Sequence, residues 1–210
     1  MVQIRPAREA DLTEIVELSM VAFDPSTDAI TRNLFPPHLQ TPERTDSEAI
    51  RHWSIARKSA RLHAKRSVMM VAFDDVLGNV VGYSMWFAPV EGDEEELPRP
   101  KRTFAGMDQA AFAELREIIM EDEREIFGEK GASDVWNLDS LGVHPQHQKK
   151  GIGRMLLDWG VQQAATQGRD CYLVATPAGV ALYRAAGFDA VKTVDIFGTP
   201  HVSMMKRILK

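Results

Sequence analysis

The sequence predicts an α/β (α+β) protein, a central sheet with helices packed against it. Three observations carry that prediction. A strand pattern over 135–143 runs through a glycine-rich turn into a helical stripe, with Ile152, Met155, Leu156 and Trp159 at i, i+3, i+4 and i+7. Two β-rich runs, 67–74 and 80–88, flank a turn containing Gly78-Asn79 and predict an antiparallel hairpin. Helical stripes lie between the strand candidates rather than apart from them, as layered α/β chains require.

In chain order, 2–5 is a short strand. Asp11-Leu12-Thr13-Glu14 then has the form of a capping box before the stripe Leu12, Ile15, Val16, Leu18, Ala22 and Phe23. Four prolines over 24–42 predict a loop or a broken helix, with Phe35 and His38 as residues that pack it down. A helix over about 46–65 turns Ile50, Trp53, Ala56 and Ala60 inward. Between Arg51 and Arg66 it carries six basic residues and no acidic one. That face is either solvated, or a surface for the chain's own acidic segments or an anionic ligand. The stretch 89–102 is acidic, proline-interrupted and read as a mobile loop. A helix over 104–128 follows, with Phe112, Leu115, Ile118, Ile119 and Ile126 inward and its acids mostly outward. Cys171 to Ala175 is a fifth strand, Thr176-Pro177 sets the next helix, and 191–196 with 201–208 make a final hairpin.

At 210 residues the chain predicts a single domain over 1–210, with a charged loop and helix inserted at about 89–130. No apolar run approaches signal-peptide or membrane-span length, so neither secretion nor a membrane partner is expected. A single cysteine cannot close an internal disulfide, which fits a reducing, cytoplasmic setting and a small buried side chain at Cys171. The net charge of −5 argues against nucleic acid as a partner and is compatible with an amine. His144 and His147 lack a cysteine or patterned carboxylate partner, so no metal is implied.

The chemistry gathers at Gln148-Lys149-Lys150-Gly151-Ile152-Gly153. Glycines at a helix start let the backbone approach a bulky anion, and the first N–H groups there have no helical partner. With the helix dipole and the charges of Lys149, Lys150 and Arg154, they predict a diphosphate cradle. The turn is not a P-loop, because no Lys-Ser/Thr pair follows. Nor is it a dinucleotide fingerprint, because Leu156 stands where the third glycine would be.

Val143-x-Pro145 followed by Gln148-x-x-Gly151-x-Gly153 resembles the acetyl-CoA signature of the GNAT superfamily of N-acetyltransferases. Leu182-Tyr183-Arg184-Ala185-Ala186-Gly187-Phe188 resembles the family's second block. The resemblance implies the GNAT fold: a mixed, mostly antiparallel sheet flanked by helices and splayed between strands 4 and 5. It implies acetyl-CoA as cosubstrate, bound by Leu141, Gly142, Val143, Gln148, Lys149, Lys150, Gly151, Ile152, Gly153 and Arg154. It implies acetyl transfer to a primary amine of a small molecule or peptide by a monomer or homodimer, with the insertion serving acceptor specificity, a lid or a dimer contact. The alternative is a non-catalytic acyl-CoA sensor or interaction module.

Acetyl transfer needs a neutral nitrogen, a polarised thioester carbonyl and a proton for the leaving thiolate. The resemblance assigns Tyr183 as the acid, close to the sulfur. For the base, Asn137 cannot take a proton, whereas Asp139 can do so directly or through water if an apolar setting raises it. His144, a solvent route and an amine that arrives neutral stay open beside it.

Overall fold

The computed structural model describes residues 1–41, 46–90 and 104–208. Along the chain run β1 (Val2–Pro6), α1 (Leu12–Ala22), α2 (Ala29–Leu34), α3 (Asp46–Leu62), β2 (Ser67–Asp74) and β3 (Asn79–Phe87). They are followed by α4 (Gln109–Phe127), β4 (Trp136–Val143), α5 (Ile152–Gln167), β5 (Cys171–Ala175), α6 (Val180–Ala185), β6 (Asp189–Ile196) and β7 (Thr199–Lys206). The seven strands form one sheet in the order β1-β2-β3-β4-β5-β7-β6. Every neighbouring pair is antiparallel except β4 and β5, which are parallel. A parallel neighbour needs a crossover, and α5 supplies it. Most of the charged stretch expected at 89–102 lies outside the described residues.

Helices cover both faces. Leu156 and Leu157 of α5 are fully buried, one against Met70, Ala72 and Val81, the other among Trp86, Leu138 and Leu173. Each such leucine contributes roughly 2–3 kcal/mol of hydrophobic stabilisation. α6 lies on that same face through Tyr183 and Ala186. On the other face α1 sets Ile15 and Leu18 against Met69, Val71, Tyr83 and Met85. α4 lies there too: Tyr172, whose neighbours Cys171 and Leu173 point toward α5, points the other way and donates to Asp122 of α4. The α5 layer comes unusually close, since a Cβ on Gly160 would stand 2.2 Å from the Trp86 ring.

Several local expectations fail for physical reasons. Asp11 makes no side-chain cap for α1, because its carboxylate takes both guanidinium nitrogens of Arg5, at 2.7 and 2.8 Å, and the Arg8 amide. Arg5 is the main reason that the Asp11 carboxyl lies below its ordinary range. Glu14 likewise reaches across to β3 to accept from the Val80 amide. On α5, Met155 is exposed, while Leu157 and Gly160 are buried in its place. α6 begins at Val180 after a turn closed by Gly179 N–H to Thr176 C=O, so Thr176 and Pro177 precede the helix instead of capping it. On α3 the buried positions are Ala49, Ile50, Ser54 and Lys58, with Ala60 exposed. On α4 the one buried acid is Asp122, which also accepts from the Ser203 hydroxyl at 2.6 Å.

The alternation of a regular strand breaks along β4. β3 pairs Met85 with Ser140 and Trp86 with Leu138, so Asp139 is the extra residue of a β-bulge. The bulge shifts the parity of the strand. Trp136 and Leu138 before it, and Leu141 and Val143 after it, all pack toward α5.

A candidate active site where two central strands part

β4 and β5 pair through Trp136↔Cys171, Asn137↔Tyr172 and Leu138↔Leu173 and no further. Beyond Leu138, β4 continues to Val143 held only by β3, while β5 is held through Ala175 by β7. The separation starts at the Asp139 bulge, which bends β4 away from its parallel neighbour. From Asp139 to Val143 the β5-facing edge of β4 therefore has no strand beside it, in the middle of the sheet.

That open edge leads into the glycine turn. Pro145 to His147 form a short 3-10 turn capped by His144, whose ring Nδ1 accepts from the Gln146 amide at 3.3 Å. Lys149 and Gly151 then take left-handed backbone, with φ of 59° and 82°, so successive N–H groups converge. The first bond inside α5 runs from Met155 N–H to Gly151 C=O at 3.0 Å, which leaves the preceding amides without a helical partner. A Cβ on Gly151 would meet nothing within 4 Å, so its glycine is demanded by φ, and open space lies before the turn.

The predicted cradle residues divide into two groups. Lys149 and Lys150 are exposed and make no ion pair among the described residues. Gln148 and Arg154 are structural as they stand. Gln148 donates to the Val143 carbonyl at 3.2 Å, and Arg154 pairs with Asp158 at 2.7 Å and donates to the Ala185 carbonyl at 3.0 Å, fastening α6 to α5. Gly153 sits where a Cβ would come within 3.3 Å of Leu182 and 3.7 Å of Leu141. Gly142 faces the opposite side, against Tyr83 and Leu18. Ile152 is buried under the turn with Val143. The open strand edge, the converging amides and the two lysines together fit an extended ligand that carries a diphosphate.

Tyr183 packs on α6 in the cluster that holds Leu138, Leu173 and Ala175, the residues at which the strands part. Burial alone raises its phenol to about 12, so it is protonated at neutral pH. Asp139 opens onto the other face. Burial pushes its carboxyl up, but Arg57, Arg61 and Lys58 outweigh that, and it ends below its ordinary range. Arg57 donates to it at 2.6 Å. The apolar setting that would have made Asp139 a good base is thus cancelled by cations from α3. Burial lifts the Cys171 thiol to about 12, which makes it a packing residue.

Arg57 and Lys58 belong to this region, two of the six basic residues that the sequence groups as a solvated face or a surface for acidic segments or an anionic ligand. Tyr83, which the sequence did not single out, belongs to it too. Arg57 lies over the Trp53 ring at 5.3 Å, and the Lys58 ammonium is 5.2 Å from the Tyr83 ring centroid. Lys58 is 3% exposed. Burial, with Arg57 adding and Asp139 opposing, lowers its amine from 10.5 to about 7. A signal was present: Lys58 stands eight residues after Ile50 and four after Ser54, on the stripe that Ile50 opens.

A family model described as the acetyltransferase (GNAT) domain matches residues 113–190, which span β4, the glycine turn, β5 and α6. No curated protein sequence matches the chain. Among solved structures, the chain resembles an acetyltransferase from Corynebacterium glutamicum described as histone acetyltransferase HPA2 and related acetyltransferase. The TM-score is 0.63 and the identity 22%, over 100% of this chain and 97% of the other. It also resembles the PaiA N-acetyltransferase of Thermoplasma acidophilum, solved with coenzyme A, at TM-score 0.57 and 16% identity over 99% of each chain. The ribosomal-protein-S18-alanine N-acetyltransferase of Escherichia coli is similar at 0.51 and 14%, over 98% of this chain and 92% of the other. At such identities the likeness is one of fold. The chain has the fold of the GNAT acetyltransferases, and its residues 113–190 match the acetyltransferase (GNAT) domain model.

Proposed function

We propose that this protein is an acetyl-CoA-dependent N-acetyltransferase acting on a primary amine of a small molecule or peptide. The observation that carries the proposal is the open edge of β4 running from the Asp139 bulge into the left-handed turn at Lys149 and Gly151. Acetyl-CoA, when bound, supplies the activated acetyl group. Backbone groups of Leu141, Gly142 and Val143 are suited to pair with the pantetheine arm as a strand would. The amides at the head of α5, from Gly151 to Gly153, with Lys149 and Lys150 beside them, are suited to its diphosphate. A backbone N–H near Leu141 is suited to polarise the thioester carbonyl.

Tyr183 keeps its proton at neutral pH and gives it to the departing thiolate. Asp139, held ionised by Arg57, orients an incoming ammonium and is a weak proton acceptor. The acceptor therefore reaches the thioester after losing its proton to solvent or to a neighbouring group.

Thioester consumption with a panel of amines tests the reaction, and calorimetry with CoA tests the cradle. Tyr183→Phe should lower kcat by about 10²-fold or more while CoA affinity is kept. An unchanged kcat would remove Tyr183 from the chemistry. CoA binding with no turnover of any amine would favour a non-catalytic acyl-CoA sensor instead.

A further inference from the structure

On the face of the split onto which Asp139 opens, the described residues carry an excess of positive charge. Lys58 is buried, and its ammonium has neither a hydrogen bond nor an ion pair among the described residues, only the Tyr83 ring at 5.2 Å. The groups facing it are Tyr83 from β3, Asp139 from β4 and Arg57 from its own helix. From α1, the Ser19 hydroxyl bonds the Val16 carbonyl of its own helix and carries no charge. The single carboxylate among the described residues there, Asp139, gives one oxygen to Arg57, and Arg61 also acts on it. Among the described residues, Arg57 and Lys58 are thus one anion short. A buried ammonium without a partner is costly, and two events relieve it: loss of its proton, or arrival of an anion that lets it keep the proton. Lys58 is placed for either, since its amine is lowered to about 7.

We propose that Arg57 and Lys58 bind a carboxylate carried by the acceptor, so that the substrate class is amines that also bear an acid group, amino acids among them. This deepens the acyl-transfer reading and rests on it. The guanidinium offers a planar fork and the ammonium a point charge, a combination suited to one carboxylate. Asp139 lies beside both and receives the amine end of the same molecule. A carboxylate that seats here draws a proton onto Lys58, so binding weakens as pH rises above neutral.

The test is a pH titration of the Lys58 side chain by NMR in the full chain labelled with 13C-lysine, its resonance assigned by its loss in Lys58→Met or Lys58→Arg. Sodium acetate, sodium phosphate, acetamide and sodium chloride are compared at matched ionic strength. Acetate should raise the midpoint by about one pH unit relative to chloride, and acetamide should leave it in place. No displacement by acetate overturns the proposal, as does a displacement by phosphate alone. With acetyl-CoA present, amino acids should outrun their methyl esters by about tenfold in wild type and Lys58→Arg, and the two should react at equal rates in Lys58→Met. A preference that survives in Lys58→Met also overturns it. Calorimetry with CoA separates the two readings. CoA binding without an acetate effect refutes the carboxylate site alone, and an acetate effect without CoA binding refutes the transferase.

Discussion

Lys58→Met should make the protein more stable. Displacing a titration midpoint by one pH unit corresponds to about 1.4 kcal/mol. Lowering the Lys58 amine from 10.5 to about 7 therefore costs the fold about 4 kcal/mol at pH 7, an upper limit because water entry relieves part of the burial. Methionine keeps the apolar stem and gives up the contact with the Tyr83 ring, about 1 kcal/mol. A net gain of about 2–3 kcal/mol remains. The sign with pH follows from the two midpoints. Between pH 7 and 10.5 the unfolded chain holds a proton on Lys58 that the folded chain has released, so this residue makes stability rise with pH across that window. Urea unfolding of both proteins at pH 7 and pH 9.5 gives the assay. The advantage of the variant should shrink by about 2–3 kcal/mol at the higher pH, and other titrating groups cancel in the difference. A variant less stable than wild type at pH 7, or one whose advantage does not change with pH, would refute the account of Lys58 as a buried amine without a partner.

Other substitutions probe other parts. Gly160→Ala should destabilise by about 2 kcal/mol in a thermal melt, because its Cβ would meet the Trp86 ring at 2.2 Å and the gain in helix propensity offsets only part of that. Asp122→Ala should cost about 3 kcal/mol in urea unfolding, since it leaves the hydroxyls of Tyr172 and Ser203 buried without their acceptor. Lys149→Ala with Lys150→Ala should weaken CoA binding about tenfold or more at low salt, with a smaller loss at high salt, and leave unfolding unchanged. A double variant with wild-type affinity would detach the turn from the diphosphate.

Much of this architecture is legible in the sequence where one local period decides the outcome. The hairpin β2–β3 and the passage from β4 through the turn into α5 come from alternation, glycine placement and the helical stripe, all contained within a few residues. What escapes depends on a partner. The bulge at Asp139 exists only in the register between β4 and β3, and it sends Leu141 and Val143 to the face that Trp136 and Leu138 already occupy. Asp122 and Lys58 sit on inward stripes but carry charge, so a rule that places apolar residues inside passes over them. Each is explained by something far along the chain: Tyr172 and Ser203 for Asp122, Asp139 and Tyr83 for Lys58. Asp139 is a candidate base in the sequence, whereas its ion pair with Arg57, 82 residues away in sequence, was not legible there.

The parting of β4 from β5 gives the sheet a third border besides β1 and β6. Outer borders of sheets are where chains add strands to one another and aggregate. This inner border is flanked by helices, with α5 and α6 on one side and α1 and α3 on the other, so it is sheltered from the edge-to-edge pairing that an outer strand invites. A slender chain suits such a border better than a second polypeptide with side chains on both faces.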